Sequence, residues 1–360
     1  LVGMLILVWS NELLLTFISI ELMSLSLYLA TALSLESILS KEAAIKYFVL
    51  GSVASAIMLF GLSFVFGTTG STYLDEITRT APALLQSNRL FMIGALLLIL
   101  GFCFKISVFP MHFWTPDVYQ GAPTPLTAFM STAVKAASFI AFARVLVGLG
   151  VGHSPVLMEA LQWMTVLTIL VGNLAALKQT NLKRIMAFSS VAHSGYALIG
   201  VLAALSAEGE NFGTASLAFY LITYYFMTYG VFILVAMLEK YENSEIYLED
   251  IKGLAKKYPL ICLGLSVLLL SLAGIPPFLG FWGKLYIFSA AIQQGLYWVA
   301  IWGVLGSVIG VYYYLRPIIM MYMHQETKSV YVEARTLTKA VFAFSIFVVV
   351  ALGLFASPLF

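Results

Sequence analysis

FKISVFPMHFWTPDVYQGAPTP, spanning Phe104–Pro125, is the stretch that decides how the chain is read. It starts inside an apolar run that opens at Leu90, and Lys105 sits in that run with no acidic residue near it in sequence. Pro110 follows where a membrane helix would still be continuing. Trp114, Pro116, Asp117 and a Gly/Pro-rich turn at Gly121–Pro125 come next. A charge at the centre of a bilayer costs about 2.5–3.5 kcal/mol on insertion scales. Proline removes a backbone hydrogen bond and clashes with the preceding turn. A lysine and a helix break at membrane depth therefore mark a functional site by default, with Lys105–Pro110 as its chemical half. Trp114–Pro125 reads as a rigid cytoplasmic turn.

The surrounding chain supports a membrane reading. Its 360 residues are 61% hydrophobic and 10% charged, with a mean hydropathy of +0.97. Soluble domains carry about 25% charge. The net charge of +2 says nothing about nucleic acid, and no basic patch with interleaved aromatics exists, so no nucleic-acid partner is expected. Cys103 and Cys262 both lie in apolar runs and read as packing residues. The chain opens on Leu1 without a signal-peptide pattern. Leu1–Val8 reads as the tail of a longer apolar helix, so the true N-terminus is expected to be missing.

A spanning helix needs about 20 mostly apolar residues. That rule predicts an all-α polytopic membrane protein with a partial helix at Leu1–Trp9 and ten full spans. The spans are Leu13–Leu33, Ala43–Phe66, Leu90–Phe113, Leu126–Leu149, Val156–Leu177, Ile185–Leu205, Ala215–Leu238, Leu260–Ala291, Tyr297–Tyr322 and Ala340–Phe360. The third and eighth are expected to be broken, the eighth at Gly274, Pro276 and Pro277. A lysine with a proline break occurs at Lys105/Pro110 and again at Pro276/Pro277/Lys284, five helices later. An odd offset reverses direction across the membrane, as in transporters whose inverted repeats hold an ion site at paired broken helices. No linker or low-complexity tract interrupts residues 1–360, which read as one membrane domain.

Orientation follows the Lys/Arg bias of alternate loops. One side holds Lys41, Lys178, Lys183, Arg184, Lys240, Lys252, Lys256, Lys257, Lys328, Arg335 and Lys339; the other holds Arg79 and Arg89. The imbalance of eleven to two places the first set in the cytoplasm and the C-terminus outside. The charges of the loops 67–89 and 239–258 are expected to be solvated, and those of Lys178–Arg184 to serve topology.

Six basic residues remain within spans. Arg144 and Arg316 lie towards helix ends, where long side chains snorkel. Lys46 follows Glu42 by one turn, a spacing that fits a simple helix-start ion pair as well as a relay. Lys105, Lys135 and Lys284 are surrounded by apolar residues without a local counter-charge. Glu21 is the acid deep within a span. A single buried pair would read as structural. Three lysines, one glutamate and two broken helices point instead to a proton or cation path. Burial disfavours the charged form of either group and pairing favours it, so a change of pairing moves a proton without a redox centre. His112, just past the break, and His193, in a run of small and hydroxyl residues, are possible relay members or packing residues. No dinucleotide fingerprint, P-loop or cysteine cluster is present.

Four long motifs carry a resemblance: NELLLTFISIELMSLSLYL, FKISVFPMHFWTPDVYQGAPTPLTAF, NLKRIMAFSSVAHSGYALIG and AGIPPFLGFWGK. They resemble the antiporter-like subunits of respiratory complex I from about Asn11 onward, and WTPDVYQGAPTP is closer to the N type than to the L or M type. The resemblance implies fourteen helices with two inverted five-helix repeats, of which this chain would begin inside the fourth helix. It implies that Glu21, Lys105, Lys135 and Lys284 are the proton-translocating set, the lysine at the last position favouring the N or L type. The chain stops soon after its last helix, so the long lateral helix of the L type is not expected. The implied function is proton translocation coupled to quinone reduction elsewhere, in a bacterial inner membrane or its equivalent. NADH, FMN, iron–sulfur clusters and quinone would be held by partner subunits, with no cofactor or metal in this chain. M-like and K-like subunits would be the membrane neighbours. A subunit of an Mrp-type cation/proton antiporter and a non-pumping structural subunit are the alternatives.

Overall fold

Helix is the only regular structure that the described residues form, as expected where a lipid environment requires every backbone group to be satisfied within its own segment. The computed structural model describes residues 1–34, 36–206, 212–239, 244–326, 332 and 335–355. Lys240, Lys328 and the end of the last expected span lie outside these residues.

The short α1 (Val2–Trp9) leads into α2 (Leu13–Thr31) and α3 (Ile38–Thr69). Then α4 (Leu74–Ser87) bends 114° into α5 (Arg89–Lys105). This first long loop is thus a helix. It buries Leu74, Ile77, Ala81 and Leu85 along one stripe. Backbone hydrogen bonds from Leu13 N to Thr72 O (2.8 Å) and Leu74 N to Asn11 O (3.0 Å) tie its start to that of α2.

Beyond α5 the chain breaks, re-forms as α6 (Thr115–Gly121), and starts the next span as α7 (Thr124–Phe129). The segment expected to be a rigid turn is therefore a short half-helix. A π-helical turn, Met130–Val134, separates α7 from α8 (Lys135–Gly148). Next come α9 (Pro155–Leu177), α10 (Leu182–Ser206), α11 (Phe212–Leu238) and the short α12 (Leu254–Lys257). The eighth expected span is two half-helices, α13 (Pro259–Ala273) and α14 (Leu279–Gln293), before α15 (Tyr297–Met323) and α16 (Thr336–Phe355). Among the described residues, eight helical stretches are long and apolar enough to cross a membrane, the Thr124–Gly148 stretch counted as one. The other two expected spans are the broken ones.

One helix organises the rest. Of the most apolar 18-residue stretch of α10, 94% is buried, against 28% for α16. It packs on α6, α8, α9, α11, α14 and α15. Gly172 brings α9 against it so closely that a Cβ there would lie 2.4 Å from Ala192 N. Buried apolar side chains from Met4 in α1 to Val349 in α16 form one connected cluster around it.

Candidate functional site

Both breaks are built alike. At the end of α5, Ser107 is left-handed (φ 58°). Val108 N donates to Cys103 O (2.8 Å) and Ser107 N to Phe104 O (3.3 Å), the paired bonds of a Schellman terminus. At the end of α13, Gly274 is left-handed (φ 86°), and Ile275 N to Leu270 O (3.1 Å) and Gly274 N to Ser271 O (2.9 Å) repeat the motif. A cis proline stands three residues after each left-handed residue, Pro110 and Pro277. The freed backbone groups of the first break find partners. Trp114 Nε1 donates to Phe104 O (2.9 Å), Ser194 Oγ to Ile106 O (2.6 Å), and Phe109 N to Thr168 Oγ1 (3.0 Å).

The lysines are not mirrored as the sequence pattern implied. Lys105 is the last residue of the half-helix before its break, whereas Lys284 lies in the half-helix after its break. Lys284 reaches back across the gap. Its Nζ donates to Leu272 O (2.9 Å), Ala273 O (3.0 Å) and Ser307 Oγ (2.8 Å), and lies 5.0 Å from the Tyr196 ring centroid. A cation at the carbonyl end of α13 is favoured by the helix dipole. A cavity of about 290 Å³ reaches this lysine between Phe281, Ser307 and Val308.

Lys135 opens α8 directly after the π turn, a feature frequent at functional sites. Its Nζ donates to Ser190 O (3.0 Å), Ser190 Oγ (2.5 Å) and Ser194 Oγ (3.0 Å), and Tyr224 Oη donates to the same Ser190 Oγ (2.9 Å). Ser194 thus joins Lys135 to the backbone beside Lys105. His193 lies on the same helix, with Nδ1 2.6 Å from Tyr220 Oη and Nε2 3.0 Å from Tyr314 Oη. The Tyr314 hydroxyl also bonds Ser189, and both Lys135 and Lys284 are close enough to His193 to act on its charge. The relay candidate His193 is therefore brought between two of the lysines.

Lys105 Nζ donates to Ser24 Oγ (2.7 Å) and Tyr28 Oη (3.2 Å) on α2. Glu21, one turn earlier on α2 and partly exposed, accepts from Ser55. Glu21 acts on Lys105 electrostatically without a direct ion pair. Lys105, Lys135 and Lys284 are 6%, 3% and 5% exposed. None of them forms a salt bridge among the described residues. All three charges are met by hydroxyls and carbonyls, which permits loss of a proton without stranding a buried carboxylate.

The transmembrane family "NADH:quinone oxidoreductase/Mrp antiporter" matches residues 10–310, which include Glu21 and all three lysines. The chain belongs to that family. NADH-quinone oxidoreductase subunit N of Bdellovibrio bacteriovorus is 53% identical over all of this chain and 74% of its own length. A solved chain of respiratory complex I from Thermus thermophilus with bound aureothin is 36% identical, with a TM-score of 0.85 over 99% of this chain and 76% of its own. A chain of the Mrp complex from Dietzia shares the fold (TM-score 0.84) at 22% identity, over 99% of this chain and 74% of its own. The expected subunit N type, as an antiporter-like membrane subunit, agrees with these relatives.

The remaining predicted residues of this family member fall outside the lysine axis. Lys46 pairs with Glu42 (2.7 Å) as the spacing implied, and also with Asp117 Oδ2 (2.8 Å) on α6. Asp117 Oδ1 accepts from Arg184 Nη1 (2.8 Å), which also donates to Gln120 Oε1 (2.7 Å). Lys46 is 41% exposed, so this network is a surface one. Burial works to raise the Asp117 carboxyl, and the hydrogen bonds from Lys46 and Arg184 override it and hold it below its ordinary value. His112 stacks on Phe109, and its buried Nδ1 has no partner among the described residues. Arg144 Nη1 donates to Ser10 O (2.9 Å), and Arg316 Nη1 caps α9 at Leu177 O (2.8 Å). Cys103 and Cys262 are buried free thiols, and no cluster of His, Cys, Asp and Glu among the described residues can hold a metal.

One expectation is overturned. Glu239 is not a solvated loop charge, and it is buried together with Lys183, whose charge was expected only to serve topology. The side chains of Lys183 and Glu239 are 3% and 7% exposed and lie 3.3 Å apart, because the close of α11 brings Glu239 under the start of α10. Sequence reasoning also missed Ser190, Ser194, Tyr220, Tyr224 and Tyr314. Their only signal was hydroxyl residues at helical spacing in otherwise apolar spans.

Proposed function

We propose that this chain is a proton-translocating membrane-arm subunit of an NADH-quinone oxidoreductase. Protons are taken up from the side rich in Lys and Arg, load Lys135, pass beside His193 to Lys284 and leave on the opposite side. Lys105 and Glu21 set the charge state of Lys135 by closing and opening their mutual contact. The driving change arrives from quinone reduction in other subunits, and M-like and K-like subunits flank this one. The membrane is the bacterial inner membrane or its equivalent, with the C-terminus outside and residues 1–360 acting as one translocating domain.

The observation that carries the reading is α10. Its Ser190, Ser194 and Tyr196 touch Lys135, the backbone next to Lys105, and Lys284. A helix that only packed would have no reason to present hydroxyls to Lys135, a ring to Lys284 and a hydroxyl to the backbone beside Lys105.

Replacing Lys105 with Met in the intact complex is the direct test. Pumping linked to quinone reduction should collapse while assembly stays normal, and wild-type pumping would remove Lys105 from the mechanism. Glu21→Gln should behave similarly. Arg316→Lys should be mild, because a lysine still reaches the Leu177 carbonyl. A structural subunit would tolerate neutral residues at all four positions. The cation/proton antiporter reading rests on the family description and the shared fold, and sodium-dependent antiport by the purified complex would favour it.

A further inference from the structure

We infer that the buried Lys183–Glu239 ion pair is the proton-loading station for Lys135. The inference rests on the translocation reading above and adds where the proton comes from. Taking two charges out of water costs several kcal/mol per ion, and such a pair returns that only with further hydrogen bonds. Here they exist: Lys183 Nζ donates to Ala122 O (3.0 Å), and the Thr124 hydroxyl donates to Glu239. Ala122 lies in the short gap between α6 and α7 and Thr124 opens α7, so the pair sits where the chain re-enters the helix bundle.

Its position connects outward and inward. Outward, Arg184 follows Lys183 and holds the partly exposed Asp117 and Gln120, and Gln120 donates to Glu245. Inward, Ser190 stands seven residues after Lys183 on α10. That spacing puts it on the same face about 10 Å further along. Tyr119 belongs to α6, which packs on α10. It is one turn before Ala122 on α6, is 1% exposed, and its hydroxyl approaches Ser190, the partner of Lys135. Tyr119 and Ser190 are the hydroxyls that carry the inferred route from Lys183 to Lys135.

The step balances in protons. A proton from the aqueous side neutralises the Glu239 carboxylate and loosens the pair. Lys183 passes one proton through Tyr119 and Ser190 to neutral Lys135. The Glu239 proton then moves to Lys183 and restores the pair, with one proton in and one out.

The test uses the whole complex in sealed vesicles and compares Glu239→Gln, Glu239→Asp and Lys135→Met. Glu239→Gln should assemble, pump about tenfold more slowly, which corresponds to roughly 1.4 kcal/mol, and show a larger deuterium isotope effect. Glu239→Asp should recover most of the rate. Wild-type pumping in Glu239→Gln overturns the inference. So does slow pumping with an unchanged isotope effect, which marks a packing defect. If Glu239→Gln does not assemble, Tyr119→Phe decides: isotope-sensitive slowing supports the route, and wild-type pumping overturns it. Wild-type pumping in Lys135→Met would instead sink the translocation reading itself. An inactive Lys135→Met beside an unaffected Glu239→Gln rejects the loading station alone.

Discussion

Ser107 and Gly274 hold the same place in two helix breaks. Each is left-handed, each closes a Schellman terminus, and each stands three residues before a cis proline. The lysines do not share this equivalence, since Lys105 precedes its break and Lys284 follows its own. The backbone device was therefore built twice, and the charges occupy different sides of it. Lys284 recovers the helix-end position by folding back onto the α13 carbonyls.

This equivalence predicts opposite signs for two small substitutions. Gly274→Ala places a Cβ at positive φ and 2.9 Å from Lys284 Cδ, so it strains the backbone and pushes the lysine from its carbonyls. A loss of about 1–2 kcal/mol is expected from the left-handed conformation alone, with slowed pumping. Ser107→Gly relaxes a non-glycine left-handed residue and removes a buried hydroxyl that has no partner among the described residues. It should raise stability by about 1 kcal/mol. Thermal unfolding of the two purified variants checks the pair, and shifts of the same sign would contradict it.

Gly51→Ala tests Lys105 without touching a charge. A Cβ at position 51 would lie 1.9 Å from Tyr28 Oη, one of the two hydroxyls that Lys105 uses. Tyr28 cannot step aside freely, because its ring packs edge-on against Tyr47 at 4.6 Å and Phe48 at 5.8 Å. Overpacking of this kind costs about 1–3 kcal/mol. Pumping should fall together with stability, and Tyr28→Phe should reproduce the pumping loss with a smaller stability change. Normal pumping in both variants would show that Lys105 works through Ser24 alone.

His193 offers a third test, since its two nitrogens face different hydroxyls. Tyr314→Phe removes the Nε2 partner and also orphans Ser189, whereas Tyr220→Phe removes the Nδ1 partner on the side of Gly283 and Lys284. Either change costs about 1–3 kcal/mol if the partner is left unsatisfied. A relay requires both variants to slow pumping, and His193→Gln more than either. Equal pumping in all three with only a stability loss would make His193 a packing residue.

The charges and breaks were legible because each violates the chemistry of a membrane span. Lys105, Lys135 and Lys284 stand out against apolar neighbours, and Pro110 and Pro277 cannot continue a helix. The hydroxyls that hold those lysines were not legible. Ser190 and Tyr224 are ordinary residues of apolar helices, and only the packing of α8, α10 and α11 brings them to Lys135. The burial of Lys183 and Glu239 was hidden for a related reason. Both stand at helix ends, where charge usually means solvent, and the α6–α7 gap that covers them lies about 60 and 115 residues away in sequence. Glu21 was legible as an acid in a span. Its bond to Ser55, which spares it a direct contact with Lys105, depends on how α3 docks against α2.

Asp117 gives a pH prediction with a definite sign. Burial acts to raise its carboxyl, and the hydrogen bonds from Lys46 and Arg184 outweigh burial, so the folded value lies below the ordinary 3.8. A depressed carboxyl contributes stability wherever the unfolded carboxyl is already ionised. That contribution is complete above about pH 5, shrinks as pH falls below the ordinary value, and is gone below the folded one. Asp117→Asn deletes it at every pH and leaves Lys46 with Glu42. The stability gap between the wild type and Asp117→Asn should therefore be constant from about pH 5 to 7 and close as the pH drops through 4 and below. At 36% exposure the gap should reach about 1 kcal/mol at most. High salt should narrow it further, because a surface network is screened. Thermal unfolding of both proteins across that pH range measures it. A gap that widens toward acid would mean that Asp117 is bound more tightly when protonated, and the surface network would then lose its role in joining α3, α6 and α10.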